Sequence, residues 1–198
     1  MQERVSPATS PDINARIAAR VRGLRGSLEV SLEDLSGRCG VSRSMISLIE
    51  RGETSPTAVV LEKLASGLGV PLAALFDDPA LPASPISRRE DRVVWRDPES
   101  AYLRRNISPS SFSTSMHLVE VVLPPGARVA YESASLQDVD QQVWVQEGRI
   151  DVTVGETTHH LAEDDCLAMT LAEPIGYANR TRKPARYIVA IARPGPRK

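Results

Sequence analysis

The sequence lacks the features that mark a membrane or secreted protein. No apolar run approaches the ~18 residues that a membrane-spanning helix needs, and residues 1–11 have no apolar core of the kind that a signal peptide carries. Only two cysteines occur, Cys39 and Cys166, and they lie far apart. This spacing argues against a disulfide scaffold and for a reducing compartment. We therefore expect a cytoplasmic protein without a membrane partner.

An excess of charge of one sign is also missing. Lys and Arg number 24 against 25 Asp and Glu, and residues 12–78 contain 8 basic and 9 acidic side chains. Because DNA-binding domains are often basic overall, any DNA-binding surface here must depend on where the charges are placed. A hydrophobic content of 41% over 198 residues indicates a globular chain that is long enough for two small domains.

The composition changes near residue 79, where Pro79, Pro82 and Pro85 fall within seven residues. Such a run cannot continue a helix and is typical of a semi-rigid linker. We predict a flexible N-terminus (1–11), a helical domain (12–78), a proline-rich linker (79–92) and a strand-rich domain (93–198).

Apolar residues at helical spacing predict five helices in the first domain. Residues suited to helix starts are Asp12, Ser31, Ser42 and Thr57, with Pro71 opening a short fifth helix. Asp34 follows Ser31 in a box-like cap. Gly23 or Gly26 is expected to end the first helix, and Gly40 to form a tight turn.

The second domain contains short runs of Val, Ile and Leu separated by Pro and Gly, which predict strands. The clearest strands are 118–123, 143–145, 150–154, 166–171 and 187–192. Because no amphipathic helix interrupts them, an antiparallel double-sheet sandwich or barrel is favoured over a parallel sheet.

Residues 31–57 carry the most specific motif: two short helices around a glycine turn, the second beginning with small polar and basic side chains. This is the arrangement by which a recognition helix enters the major groove. The order Leu-x-x-Leu, glycine turn, Val-Ser, Ile-Ser, Glu-x-Gly and Ser-Pro-Thr resembles the Xre/Cro-like repressor family, with Ser36 where that family usually has alanine. The resemblance covers residues 13–76 and implies a lambda-repressor-like bundle.

Carried over position by position, the resemblance implies that the third helix contacts DNA through Ser42, Arg43, Ser44, Ser47 and Arg51. Arginine can donate two hydrogen bonds to guanine, and serine can pair with several bases. Arg51 is a candidate phosphate contact, whereas Glu50 is expected to hold the helix end through an ion pair. The first-helix arginines are either further phosphate contacts or a solvated face: Arg16, Arg20, Arg22 and Arg25.

Residues 115–191 resemble the cupin family, a small double-sheet β-barrel found fused to Xre-type domains. The resemblance rests on Pro125-Gly126, on the segment from Val145 to Gly148, and on Asp165, Pro174 and Asn179. Catalytic cupins hold a metal ion with histidines and a glutamate. In this sequence, Gln141 replaces the glutamate and Ile175 replaces the second-motif histidine, so we expect no metal, no cofactor and no metal-dependent enzyme activity.

Without a metal, the hollow of the cupin is available for a small molecule. Strand alternation directs Gln141, Tyr177 and Asn179 inward, with Tyr131 as a further lining candidate, and turns Trp144 outward, where it could pack on a second subunit. His159 and His160 are expected in a turn. Cys39 is expected as a core filler, and Cys166 as a buried inert thiol.

Three hypotheses follow for the whole chain. The first is a homodimeric transcriptional regulator that binds an inverted-repeat operator in double-stranded DNA and responds to a small-molecule effector in the cupin. The second is a DNA-binding scaffold whose cupin only dimerises or contacts a partner. The third is a metal-free cupin enzyme that uses His117, Glu132 or Tyr177, although nothing in their spacing supports it.

Overall fold

The computed structural model of the chain describes residues 13–77, 84–109, 112, 114–132 and 139–192. The expected flexible N-terminus, the cap by Asp12 and residues 79–83 of the predicted linker lie outside these ranges. The helices are α1 (Ile13–Ser27), α2 (Leu32–Cys39), α3 (Arg43–Glu50) and α4 (Ala58–Gly67), and two 3-10 helices follow at Leu72–Phe76 and Arg89–Asp91. Within these ranges, no helix has both the length and the apolar character needed to cross a membrane.

The predicted capping residues determine where the helices begin. The Ser31 side chain accepts a hydrogen bond from the Asp34 amide, and the Asp34 carboxylate accepts one from the Ser31 amide, which completes a capping box. Ser42 and Thr57 cap α3 and α4 through their side-chain oxygens, which accept from the amides of Met45 and Val60, without the reciprocal bond of a capping box. Gly40 adopts the left-handed conformation (φ 67°) that the turn between α2 and α3 requires.

Two helix predictions were wrong. The described residues contain four α-helices instead of five, because the predicted fifth helix is a 3-10 helix of five residues between Pro71 and the extended residue Asp77. A segment this short favours the tighter 3-10 winding. Helix α1 does not end at Gly23 or Gly26 but continues to Ser27, since its apolar stripe through Ile17 and Val21 is packed in the core.

Ten strands form two antiparallel sheets that pack against each other. The strands are β1 (Val94–Arg96), β2 (Leu103–Asn106), β3 (Met116–Leu123), β4 (Arg128–Tyr131), β5 (Asp140–Glu147), β6 (Ile150–Val154), β7 (Thr157–Leu161), β8 (Cys166–Thr170), β9 (Ile175–Ala178) and β10 (Ala185–Ala192). One sheet has the order β1-β2-β3-β10-β5-β8 and the other β4-β9-β6-β7. The five predicted strands are confirmed, but the sheets do not close into a barrel among the described strands.

The turn between β5 and β6 packs closely against the start of β10. Gly148 has a φ of 82°, and a Cβ atom at this position would lie 3.0 Å from the Pro184 carbonyl oxygen. Any larger residue would therefore be strained in its backbone and would also clash with the chain that enters β10.

The helical and strand domains are in direct contact. One carboxylate oxygen of the buried residue Asp97 accepts a hydrogen bond from the Ala58 amide at the start of α4, at 2.8 Å. A carboxylate at this position also interacts favourably with the helix dipole. Phe76 packs edge-on against Trp95 of β1, with 5.6 Å between the ring centroids. The Asn106 amide donates to the Ala73 carbonyl oxygen at 3.0 Å.

Helix α4 places a carboxyl group at this contact. Burial raises the pKa of Glu62 from 4.5 to about 7, against the lowering effect of Lys63, and Glu132 raises it further. Lys63 forms an ion pair with Glu132, with 2.9 Å between Nζ and Oε2. Glu62 thus gains a proton within the physiological pH range.

We predict that Glu62→Gln flattens the pH dependence of stability. Between about pH 4.5 and 7 the folded chain keeps a proton that the unfolded chain has released, so its stability falls as the pH rises through this window. At pH 8 the variant should be more stable than the parent by about 1 kcal/mol, after allowance for solvent screening. Urea denaturation at pH 5 and pH 8 measures this difference. The exposed Glu163→Gln is the control, and an equal pH slope in parent and Glu62→Gln would contradict the prediction.

Candidate DNA-binding face and inter-domain cavity

The first turn of α3 presents three of the predicted DNA-binding residues to solvent. Ser42, Arg43 and Ser44 are all exposed. The Ser42 hydroxyl accepts from the Met45 amide at 3.3 Å and lies 3.2 Å from the Ser44 hydroxyl. The helix core holds this turn in place, because Ile46 and Ile49 are fully buried on the opposite face. Arg43 therefore extends from a rigid helix start, as groove recognition requires.

The other two predicted residues, Ser47 and Arg51, contact each other at the end of α3. The Arg51 guanidinium donates two hydrogen bonds to the Glu53 carboxylate, at 2.6 and 2.9 Å, and a third to the Ser47 hydroxyl. The hydrogen bonds to Glu53 raise the pKa of Arg51. Because both side chains are exposed, the pair is open to exchange of Glu53 for a phosphate.

Several first-helix arginines make internal contacts. Arg25 donates two hydrogen bonds to the Glu50 carboxylate, at 2.7 and 2.8 Å, and Glu50 is only 5% exposed. Glu50 thus forms an ion pair, but its partner belongs to α1, whereas a local partner at the end of α3 was expected. Arg16 donates to the Phe76 carbonyl oxygen and Arg20 to that of Ala74. These two side chains fasten the 3-10 helix to α1, which leaves Arg22 as the exposed arginine among the four.

A cavity of about 110 Å³ lies where the helical domain meets the space between the two sheets. Its walls are mainly apolar and come from both domains. From the helical domain they include Glu62, Ala65, Ser66, Val70, Pro71 and Leu72; from the strand domain they include Tyr102, Arg104, Val121, Tyr131, Glu132, Gln141, Glu173, Ile175, Tyr177 and Tyr187. The volume is comparable to that of apolar cavities of ~150 Å³ that admit benzene.

Four tyrosines give the cavity its polar groups. The Tyr177 hydroxyl accepts a hydrogen bond from the Gln141 amide, and the Tyr131 and Tyr102 hydroxyls lie 3.2 Å apart. The Tyr177 and Tyr187 rings are stacked, with centroids 5.7 Å apart. Burial raises the pKa of each of these phenols. They therefore stay protonated at neutral pH and act as hydrogen-bond donors.

Three of the four predicted ligand-binding residues line this cavity: Gln141, Tyr177 and Tyr131. Asn179, the fourth, is buried elsewhere. Its amide donates to the Leu123 and Lys183 carbonyl oxygens at 2.9 and 2.8 Å, and its oxygen accepts two hydrogen bonds from Thr181. All its hydrogen-bonding groups are thus engaged in holding the turn before β10.

Arg104 is a cavity residue that the sequence analysis missed. Its side chain is 6% exposed, and its guanidinium carbon lies 5.1 Å from the centroid of the Phe76 ring. The sequence contains Arg104 and Arg105 side by side, and only one of them can face inward in a strand. Nothing in the local pattern identifies which one, because the inward direction is set by the pairing of β2 with β3.

The positions where the cupin resemblance would place metal ligands also lie on the cavity wall, as Gln141 and Ile175. An amide and an alkyl group do not fit the donor set of a transition metal. In the described ranges, no group of three or more His, Cys, Asp or Glu residues is arranged to hold a metal ion.

Two further expectations were wrong. His159 and His160 lie in strand β7 rather than in a turn, and His160 Nδ1 lies 2.7 Å from an Asp151 oxygen. Cys166 is exposed, not buried, because β8 is an edge strand whose alternate residues face solvent. Cys39 is buried as expected, and burial raises the pKa of its thiol.

Known proteins resemble this chain in both halves. The helix-turn-helix family HTH_3 matches residues 21–75. The transcriptional regulator SutR of Escherichia coli K12 is 28% identical over 138 residues, which cover 70% of this chain and 72% of SutR. The control protein C.MunI of a Mycoplasma species is 34% identical over 68 residues, which cover 34% of this chain and 92% of C.MunI.

One solved structure covers both domains. The crystal structure of an HTH_3-family transcriptional regulator from Vibrio cholerae superposes with a TM-score of 0.76 at 29% identity, over 92% of this chain and 98% of that one. Three observations point to the same family. They are the geometry of α3, the match of its motif to known regulators and the superposition over both domains. This chain therefore belongs to the Xre-type helix-turn-helix family of DNA-binding transcriptional regulators, and its second domain is built from two packed antiparallel sheets.

Proposed function

We propose that this regulator is a homodimer that binds an inverted-repeat operator and changes its DNA affinity when a small molecule enters the inter-domain cavity. The observation that carries the proposal is the composition of the cavity wall. Glu62, Ser66 and Leu72 of the DNA-binding domain face the same space as Gln141 and Tyr177 of the cupin. A ligand there would contact both domains and so favour one arrangement of them over another.

Helix α4 offers a direct route from the cavity to the recognition helix. One face of α4 contributes Glu62 and Ser66 to the cavity wall. At its end, Gly67 packs so closely on α2 that a Cβ atom there would lie 2.7 Å from the Cβ of Cys39. Since α2 and α3 form the helix-turn-helix, a shift of α4 would displace the pair rather than be absorbed by loose packing.

The cupin cavity is proposed to bind its ligand without transforming it. Of the three acid-base candidates, Glu132 and Tyr177 line the cavity, whereas His117 lies outside it. Glu132 is paired with Lys63, and burial raises the pKa of the Tyr177 phenol. Neither group is thereby suited to act as a base at neutral pH. SutR and the Vibrio cholerae protein are both described as transcriptional regulators, which supports the proposal that the cavity binds a ligand without transforming it.

The outer face of the larger sheet supports a dimer. Trp144 is 47% exposed, and its cross-strand partners are Ile188 on β10 and Cys166 on β8. Beside them, Ala190 pairs with Leu118. This apolar strip suits a self-complementary contact with a second copy across a two-fold axis, which an inverted-repeat operator also requires.

We predict that Arg43→Ala weakens binding to the preferred operator by about 1–3 kcal/mol and relaxes the base preference at one position in each half-site. The reason is the loss of a two-hydrogen-bond contact to a base. Selection from a random DNA library, followed by titration of the selected site, measures both effects. Arg182→Ala, which removes an exposed charge in the cupin, is the control. An equal loss on all sequences would make Arg43 a phosphate contact instead.

We predict that Trp144→Glu converts the dimer to a monomer, because it places a charge at the centre of the apolar strip. Operator affinity should then fall by a factor on the order of 10², since two linked half-sites bind far more tightly than one. Light scattering coupled to gel filtration gives the mass. Thr157→Glu, at an exposed position on the other sheet, should remain dimeric. A dimeric Trp144→Glu variant would refute this interface.

The coupling itself is tested with a metabolite that raises the melting temperature of the full chain. Such a compound should change operator affinity by about 5-fold or more. Asp97→Ala should reduce this change, because Asp97 anchors α4 to the cupin, whereas the exposed Glu99→Ala should not. If stabilising compounds leave operator affinity unchanged, the cupin is a dimerisation scaffold.

A further inference from the structure

The inner face of β2 carries a buried positive charge whose hydrogen-bonding capacity is only partly used. Arg104 pairs across the sheet with Trp95 on one side and Val121 on the other, so its side chain shares their inward direction. It lines the cavity and is 6% exposed. Its Nε and Nη2 atoms are buried and have no hydrogen-bond partner among the described residues.

Among the residues that the structure describes, none forms an ion pair with this guanidinium. Asp97 is the buried carboxylate of the adjoining segment, but one of its oxygens accepts from the Ala58 amide, and the other accepts from the amide and hydroxyl of Ser100. The guanidinium packs on the face of Phe76 and forms a hydrogen bond with the Tyr102 hydroxyl. An arginine cannot lose its charge in a protein, so two of its donors stay buried without a partner among the described residues, in a side chain that lines the cavity. Leaving them unpaired costs free energy, which an anionic ligand would recover.

The other charges in the cavity wall are acidic. Glu62 belongs to α4, and Glu132 and Glu173 follow β4 and β8. Glu132 is 80% exposed in its ion pair with Lys63, and Glu173 is exposed. The cavity thus has one buried cation and a more exposed acidic rim. A ligand with one carboxylate fits this distribution of charge. A second carboxylate would be repelled by the glutamates at the rim.

We propose that the cavity binds a small monocarboxylate, with the carboxylate accepting hydrogen bonds from Arg104 and the apolar or positively charged remainder directed towards the rim. A planar guanidinium matches a carboxylate through two parallel hydrogen bonds. The tyrosine hydroxyls beside it supply neutral donors, and the stacked Tyr177 and Tyr187 rings supply an apolar wall. This proposal names the ligand class of the effector site proposed above and rests on that proposal.

The test uses five-carbon and aromatic compounds that differ in charge at similar size. Valerate, 5-aminovalerate and benzoate should raise the melting temperature of the full chain in the absence of DNA. Valeramide, benzamide and the dicarboxylate glutarate should bind at least about tenfold more weakly, as expected for the loss of a charge-assisted pair or the addition of a repelled charge. Titration calorimetry gives the dissociation constants.

Matched variants show whether Arg104 is the group responsible. Arg104→Met keeps a long side chain against Phe76 and should lose the preference for acid over amide, while Arg104→Lys should retain part of it. Arg96→Met removes an exposed charge from β1 and should bind as the parent does. If Arg104→Met does not fold, the Nε–H signal of Arg104 in arginine-labelled parent protein serves instead, and it should shift with valerate but not with valeramide.

The proposal is overturned if the amides bind as well as the acids, if Arg104→Met keeps the acid preference, or if none of the three monocarboxylates binds. A neutral compound that binds the cavity and alters operator affinity would also overturn it, yet would leave the proposed effector response intact. Conversely, acids that bind through Arg104 without changing operator affinity would support the ligand class and remove the effector role.

Discussion

The contact between the Asp97 carboxylate and the first amide of α4 connects the two domains of this regulator. Asp97 lies just after strand β1, and Ala58 begins the helix that completes the DNA-binding bundle. The carboxylate is buried and also accepts two hydrogen bonds from Ser100, so its position is closely defined. Beside it, Phe76 packs on Trp95, which in turn packs on Tyr102. Together these contacts align the helical bundle on the open end of the cupin.

The cavity is a consequence of this alignment. Two packed sheets alone would present an open cleft to solvent, but α4 and the 3-10 helix after it supply part of the wall. The same alignment places Phe76 over Arg104, so a residue of the DNA-binding domain covers the buried cation of the cupin. Burial then keeps the four tyrosines protonated and holds the pKa of Glu62 near 7. A ligand in a site between two domains contacts both of them directly. It can therefore favour one arrangement of the domains without a signal passing through other residues.

Local sequence signals were sufficient for the starts of three helices and for the turn between α2 and α3. Ser31, Ser42 and Thr57 cap the helices as predicted, and Gly40 makes the predicted turn, because a cap depends on residues only three positions away. Strand alternation placed Gln141 inside and Trp144 outside. The short strands β1, β2 and β4 were not predicted, since three or four residues stabilised by pairing carry little pattern of their own.

The sequence by itself determined the helix-turn-helix family and the position of its two helices, because both depend on the identity of particular residues. The tertiary structure decided which of those residues meet. The side chain of Asn179 is hydrogen-bonded within its own turn and does not line the cavity, whereas Arg104, Glu62 and Ser66 do. Arg104 and Arg105 are equivalent in sequence, yet one faces Phe76 and the other pairs with Glu120 on the outer face. Only the pairing of strands and the docking of a distant helix make that distinction, and neither is encoded in a local pattern.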